Sequence, residues 1–184
     1  MSSTSTLITA DEFSSMVHER PSELIRGEVV EMTNPGSLHG QVCSNASFLL
    51  QTWSRLQQTP WNVIGNDAGV LTERNPDTVR GPDVYVIRHD RLPGGVIPSG
   101  HMTVAPELCV EVMSPTDRWR DIHSKVGDFF QAGVLEVWVI DPVKRRIHLF
   151  QGDDEPVVLG VGDRVRSDNL PNLTIEVQEF FYLT

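Results

Sequence analysis

The 184-residue chain predicts a mixed α/β fold, a central mixed β-sheet flanked by helices. Three observations carry this. The apolar runs "ELCVEVM" and "LEVWVID" bracket a stretch with helical periodicity, and a strand, helix, strand unit of that length makes a parallel crossover. From His39 to about Gln58, Val42, Ala46, Leu49, Leu50, Trp53 and Leu56 recur at spacings of three and four, the pattern of one apolar helix face. The last third holds "RRIHLFQ", "PVVLGVGDRVRS" and "LTIEVQEF", which read as short antiparallel strands joined by turns at "DPVK" and "GDDE".

The elements follow in order. "TADEF" offers a capping box, Thr9 with Glu12 three residues on, opening a short helix through Phe13, Met16 and Val17. "ELIRGEVVEM" reads as one strand between Pro21 and the turn-rich "TNPGS". After the long helix come "WNVIGN", "AGVLTER" and, beyond a break at "NPDTVRG", "PDVYVIR". Asp90 to Pro106 is dense in Gly and Pro and reads as a surface or site-covering loop. Ser114 or Thr116 is the expected cap of a helix running to about Ala132, with Gly133 as its stop and Trp119, Ile122, Val126, Phe129 and Phe130 on one side.

The length suits one domain over residues 1–184, with 1–8 a flexible N-terminal tail. No apolar run approaches the roughly 18 residues of a membrane span. The start "MSSTSTLITADEF" lacks the pattern of a signal peptide, so a reducing cytoplasm is expected, with Cys43 and Cys109 as free structural thiols. A formal charge of −10 with 15 Lys and Arg argues against sequence-independent coating of nucleic acid. Local sites for phosphates remain compatible with it, because bound divalent cations offset acidic charge.

Two acids stand out. Glu111 lies inside an apolar strand, where an unpaired carboxylate costs several kcal/mol and therefore calls for a partner. Asp83 follows Pro82 at the head of "VYVIR". On neighbouring strands about 4.8 Å apart, such a pair suits a shared divalent cation; the plainer alternative has Asp83 capping a turn and Glu111 paired with Arg88 or Arg118. Lys125 falls at the border of its helix face, where a lysine ordinarily snorkels to solvent but here lies close enough in sequence to reach the end of the Glu111 strand. Glu28 and Glu31 sit at odd separation in one strand, so only one of them can join a shared site. His39 precedes the long helix and is a weaker candidate for meeting a phosphate. The chain contains no Walker A motif, dinucleotide fingerprint, CxxC pair or HExxH, so nucleotide cofactors and structural zinc are not expected.

The ordered set "GPDVYVI", "PELCVEVMSPTDR" and "KVGDFFQAGVLEVWVIDP" resembles the Uma-two family of restriction-endonuclease-like proteins within the PD-(D/E)xK nuclease superfamily. "GEVVEM", "PGSLHG" and "LPNLTIEVQEFF" are similar to that family as well, so the likeness runs from about Thr9 onward. The resemblance implies a restriction-endonuclease-like core and Mg2+- or Mn2+-dependent hydrolysis of phosphodiester bonds, with DNA as substrate. Asp83 and Glu111 match the two acids, Glu28 resembles the family's early acid and third metal ligand, and Lys125 matches a lysine supplied from the following helix. The superfamily's usual lysine, two residues after the second acid, is replaced by Met113. A homodimer would suit cutting of two strands. Two rivals stand beside the endonuclease: a non-catalytic module that keeps the fold, and a metal-dependent hydrolase of a small phosphorylated compound. A nuclease groove calls for flanking basic residues such as Arg80, Arg88, Arg118 and Arg120.

Overall fold

A computed structural model describes residues 7–152 and 154–182. The flexible tail expected at 1–8 lies mostly outside the described residues, but Ile8 N–H donates to the Gly27 carbonyl at 3.0 Å, so the chain is held from there. The capping box at Thr9 and Glu12 forms as expected and starts α1 (Ala10–Ser15).

The single strand expected at "ELIRGEVVEM" is a hairpin, β1 (Ser22–Ile25) and β2 (Glu28–Glu31). Arg26 and Gly27 both take positive φ, 50° and 78°, the backbone of a two-residue hairpin turn whose twist matches its strands. The long helix α2 (Ser37–Arg55) buries Val42, Ala46, Leu50 and Trp53, while Leu56 lies beyond its end and is exposed. Then come β3 (Trp61–Gly65), β4 (Val70–Glu73), β5 (Thr78–Arg80) and β6 (Val84–Arg88). The break expected at "NPDTVRG" instead contains β5, which is buried throughout and joins β1 to β4. The Gly- and Pro-rich segment before Pro106 folds down at Met102, which is 1% exposed and exchanges hydrogen bonds with Gly69 and Leu71.

β7 (Leu108–Val112), α3 (Trp119–Ala132) and β8 (Glu136–Asp141) form the crossover, with β7 and β8 parallel over five pairs. The N-cap of α3 is Arg118; the Ser114 N–H instead donates to the Asp117 carboxylate, closing a turn before the helix. Gly133 at φ 96° ends α3 in the left-handed conformation that glycine adopts without steric cost. The chain closes with β9 (Arg146–Phe150), β10 (Val157–Gly160), β11 (Arg164–Arg166), β12 (Thr174–Glu176) and α4 (Val177–Phe180), so "LTIEVQEF" is half strand and half helix.

The main sheet runs β10-β9-β8-β7-β6-β3, antiparallel except at β7 and β8, and a second sheet runs β2-β1-β5-β4. Side-chain alternation divides the core in two. Val84, Val86, Leu108, Val110, Trp138 and Ile140 face α2, whereas Tyr85, Ile87, Cys109, Val137 and Val139 face Ile122, Val126 and Phe129 of α3. The mixed sheet with helices on both faces is the fold expected. By the same alternation Glu111 points toward α3.

Truncating Phe129, fully buried under the sheet, to alanine is expected to cost about 3–5 kcal/mol, whereas the exposed Phe48→Ala should stay within about 0.5 kcal/mol. Urea denaturation of the two variants checks the difference.

Candidate active site

The β6 and β7 ladder pairs Val84 with Val110 and Tyr85 with Cys109, and continuing that register by one residue sets Asp83 opposite Glu111. The two acids therefore meet at one end of the sheet, between the first turn of α2 and the middle of α3. Asp83 Oδ2 accepts the Val112 N–H at 2.6 Å, and His39 Nε2 lies 3.2 Å from Oδ1. Burial alone would raise the Asp83 pKa, but the His39 contact, the Val112 N–H and the Lys125 charge outweigh it and hold the carboxyl below its ordinary value. His39 answers in kind: burial opposes its protonation, and the bond and charge of Asp83 raise it.

Lys125 does not snorkel. Its ammonium donates to the Gly81 carbonyl at 2.8 Å and to Glu111 Oε2 at 2.9 Å, and lies 3.0 Å from Glu23 Oε1. Two hydrogen bonds and the close Glu23 carboxylate surround the ammonium. Burial would lower the Lys125 pKa, yet Glu111 and Glu23 reverse that and keep it charged. Glu23 in turn accepts the Gly81 N–H at 2.9 Å and Arg80 Nη1 at 2.8 Å, and Arg80 reaches on to Asp128 at 2.6 Å. The chain of charges runs Asp128, Arg80, Glu23, Lys125, Glu111 across both sheets and α3.

Glu111 Oε1 is the exception. It lies 2.9 Å from the Lys125 ammonium but has no hydrogen bond, and it is buried. Burial pushes the Glu111 carboxyl up to about 8, Lys125 pulling the other way and Asp83 adding to the rise. A buried carboxylate oxygen held by the Lys125 charge alone, with no hydrogen bond, leaves lone pairs that a hard cation could take, and Asp83, held below its ordinary pKa and across the ladder, is a second oxygen donor of the same kind. The donor set fits Mg2+ or Mn2+, which retain several waters and ask for only one or two carboxylates.

The expectations separate here. Asp83, Glu111 and Lys125 come together. Glu28 does not join them: the turn at Arg26 and Gly27 puts it on β2, the outer strand of the second sheet, where it is exposed. Glu23, on the inner strand β1, is the acid of this hairpin that reaches Lys125. The alternative pairing of Glu111 with Arg88 or Arg118 does not occur; Arg88 binds Asp90 at 2.6 Å, at the far end of β6, and Arg118 is exposed. Arg80 is buried in ion pairs and cannot flank a duplex, which leaves Arg118 and Arg120 as exposed bases beside α3. The reasoning from sequence missed Glu23 and Asp67, and it gave Arg80 a groove-flanking place in lieu of its buried ion pairs; Asp67 lines a cavity of about 560 Å3 together with His39, Cys43 and Asp83.

A family model described as "Putative restriction endonuclease", Uma2, matches residues 10–178. The chain belongs to the Uma2 family. Among solved structures, it is similar to a "putative nuclease belonging to DUF820" from Anabaena variabilis, with a TM-score of 0.79 and 20% identity over 95% of this chain and 97% of that one. That likeness concerns the fold. No curated protein matches the chain. No helix among the described residues of this Uma2 protein is long and apolar enough to cross a membrane.

Lys125→Met should destabilise the fold by about 3–5 kcal/mol, because it takes the buried cation from between Glu23 and Glu111, and adding Glu111→Gln should recover part of the loss. Chemical denaturation of the single and double variants tests this; equal stabilities of Lys125→Met and wild type would contradict the buried ion pair. A second expectation concerns pH. Glu111 holds its proton more tightly folded than unfolded, so its contribution is whole below its ordinary 4.5 and fades as pH rises toward about 8. Wild type should therefore lose stability relative to Glu111→Gln across that window. A flat difference in melting temperature would show an unshifted carboxyl.

Proposed function

We propose that this protein is a metal-dependent DNA endonuclease hydrolysing phosphodiester bonds, with Asp83 and Glu111 as the metal-holding acids and Lys125 as the catalytic cation. The observation that carries the reading is the unbonded buried Oε1 of Glu111, beside Lys125 and opposite the ionised Asp83. Membership of the Uma2 family supports it.

Asp83 and Glu111 would hold Mg2+ or Mn2+. Such an ion, when bound, supplies a Lewis acid that polarises a phosphate and acidifies a water. The residues of the chain do the rest. His39 and the Val112 N–H fix the Asp83 carboxylate and keep it ionised. Glu23 and the Gly81 carbonyl hold the Lys125 ammonium in place, so that its charge opposes the negative charge gathering on the phosphoryl oxygens without reorganising. Placement of this ammonium matters more than its pKa. Lys125 thus fills the electrostatic office of the lysine absent at Met113, from a helix instead of the strand. Glu23 acts through Lys125 as a positioning residue.

The rival reading, a nuclease-fold binding module, draws on the same ion pairs, since every contact of Lys125 is also a structural one. Cleavage separates the two. Purified protein incubated with supercoiled plasmid, linear duplex and single-stranded DNA should cut only with Mg2+ or Mn2+, and Asp83→Asn should lower the rate by at least about 100-fold while keeping the circular dichroism of the folded chain. Equal cleavage by wild type and Asp83→Asn would reject the assignment, and absence of cleavage on all three substrates with both metals would favour the binding module.

A further inference from the structure

We propose that His39, Cys43 and Asp83 form a second cation site, selective for a soft divalent ion such as Zn2+, that shares Asp83 with the acid pair. His39 and Cys43 stand four residues apart on one face of α2, over the bend that carries Asp83. One ring nitrogen of His39, the Cys43 sulfur and a carboxylate oxygen of Asp83 all lie within 4.8 Å of one another. The separations have the right size. Bonds of about 2.0–2.3 Å place neighbouring atoms of a tetrahedral zinc shell about 3.3–3.8 Å apart. Here His39 Nε2 is 3.2 Å from Asp83 Oδ1 and 3.9 Å from Cys43 Sγ. These two separations lie within a few tenths of an ångström of that shell, and the third is under 4.8 Å.

The donor chemistry selects the ion. Imidazole, thiolate and a single carboxylate suit Zn2+, whereas Mg2+ asks for oxygen alone. Three protein ligands leave a fourth position, and all three side chains line the cavity of about 560 Å3, which supplies a path for the ion and room for a water. Asp67, from the turn after β3, lines the same cavity and adds negative charge. Binding forms a Zn–S bond and releases the thiol proton to solvent; it also replaces the hydrogen bond between His39 and Asp83.

Occupation of this site does not depend on the nuclease reading. One consequence does rest on it: the two cations compete for Asp83, so Zn2+ would inhibit cleavage supported by Mg2+.

The test uses the full chain and has a readout independent of activity. Titration with Co2+ should give one equivalent of bound metal with tetrahedral visible bands and a thiolate charge-transfer band, and Zn2+ should displace it. Cys43→Ser should remove the charge-transfer band, and both Cys43→Ala and His39→Ala should weaken Zn2+ binding by at least about tenfold, with circular dichroism unchanged. Cys109→Ala and Glu111→Gln should leave the bands in place. No stoichiometric binding, a charge-transfer band that survives Cys43→Ser, or loss of the bands in Glu111→Gln would each overturn the site. Intact Co2+ binding without DNA cleavage would instead count against the nuclease reading alone.

Discussion

The ammonium of Lys125, buried between Glu111 and Glu23, is the interaction on which the rest of this end of the molecule depends. Removing a lysine and two carboxylates from water carries a penalty of several kcal/mol per ion, which only close pairing and saturated hydrogen bonds offset. The structure meets that demand from three elements at once: β7 supplies Glu111, β1 supplies Glu23, and the chain before β6 supplies the Gly81 carbonyl. One side chain of α3 thereby ties the main sheet to the second sheet. An alanine at 81 would bring its Cβ to 2.8 Å from the Asp67 carbonyl, so even the backbone that receives the lysine is closely packed.

Satisfaction of the charges is uneven, and the unevenness is informative. Arg80 answers Glu23 and Asp128, and the deeply buried Glu136 is met by Trp138, Ser167 and Asn169. Those groups read as architecture. Glu111 keeps one oxygen without a hydrogen bond, 2.9 Å from the Lys125 ammonium, on the residue that the ladder register sets opposite Asp83. Two acids with opposite tendencies, one raised toward its neutral form and one held charged, are what a cation between them would reconcile.

Asp83 lies where three influences meet. The Val112 N–H anchors one oxygen from the sheet, His39 reaches the other from α2, and Lys125 acts through space from α3. On the proposed readings, this convergence would let one carboxylate serve a hard oxygen site on the α3 side and a softer site on the α2 side. The choice between them rests with the ion, through its preference for oxygen or for nitrogen and sulfur donors.

By itself the sequence determined much of this. Periodicity located α2, α3 and the crossover between β7 and β8, because burial on one face leaves its imprint every three or four residues. An acid inside an apolar strand marked Glu111, and the ordered motifs marked Asp83 and Lys125. Tertiary structure decided the rest. The hairpin at Arg26 and Gly27 splits what reads as one strand, which moves Glu28 out to an edge and brings Glu23 in, and two positive φ values are nearly silent in a hydrophobic pattern. Arg80 sits in a strand of three residues, too short to show alternation, and only the pairing of β5 with β1 reveals that it is buried. That Lys125 turns inward could not be read from a helix-face border, because the direction a lysine takes is set by the carboxylates that other elements bring to it.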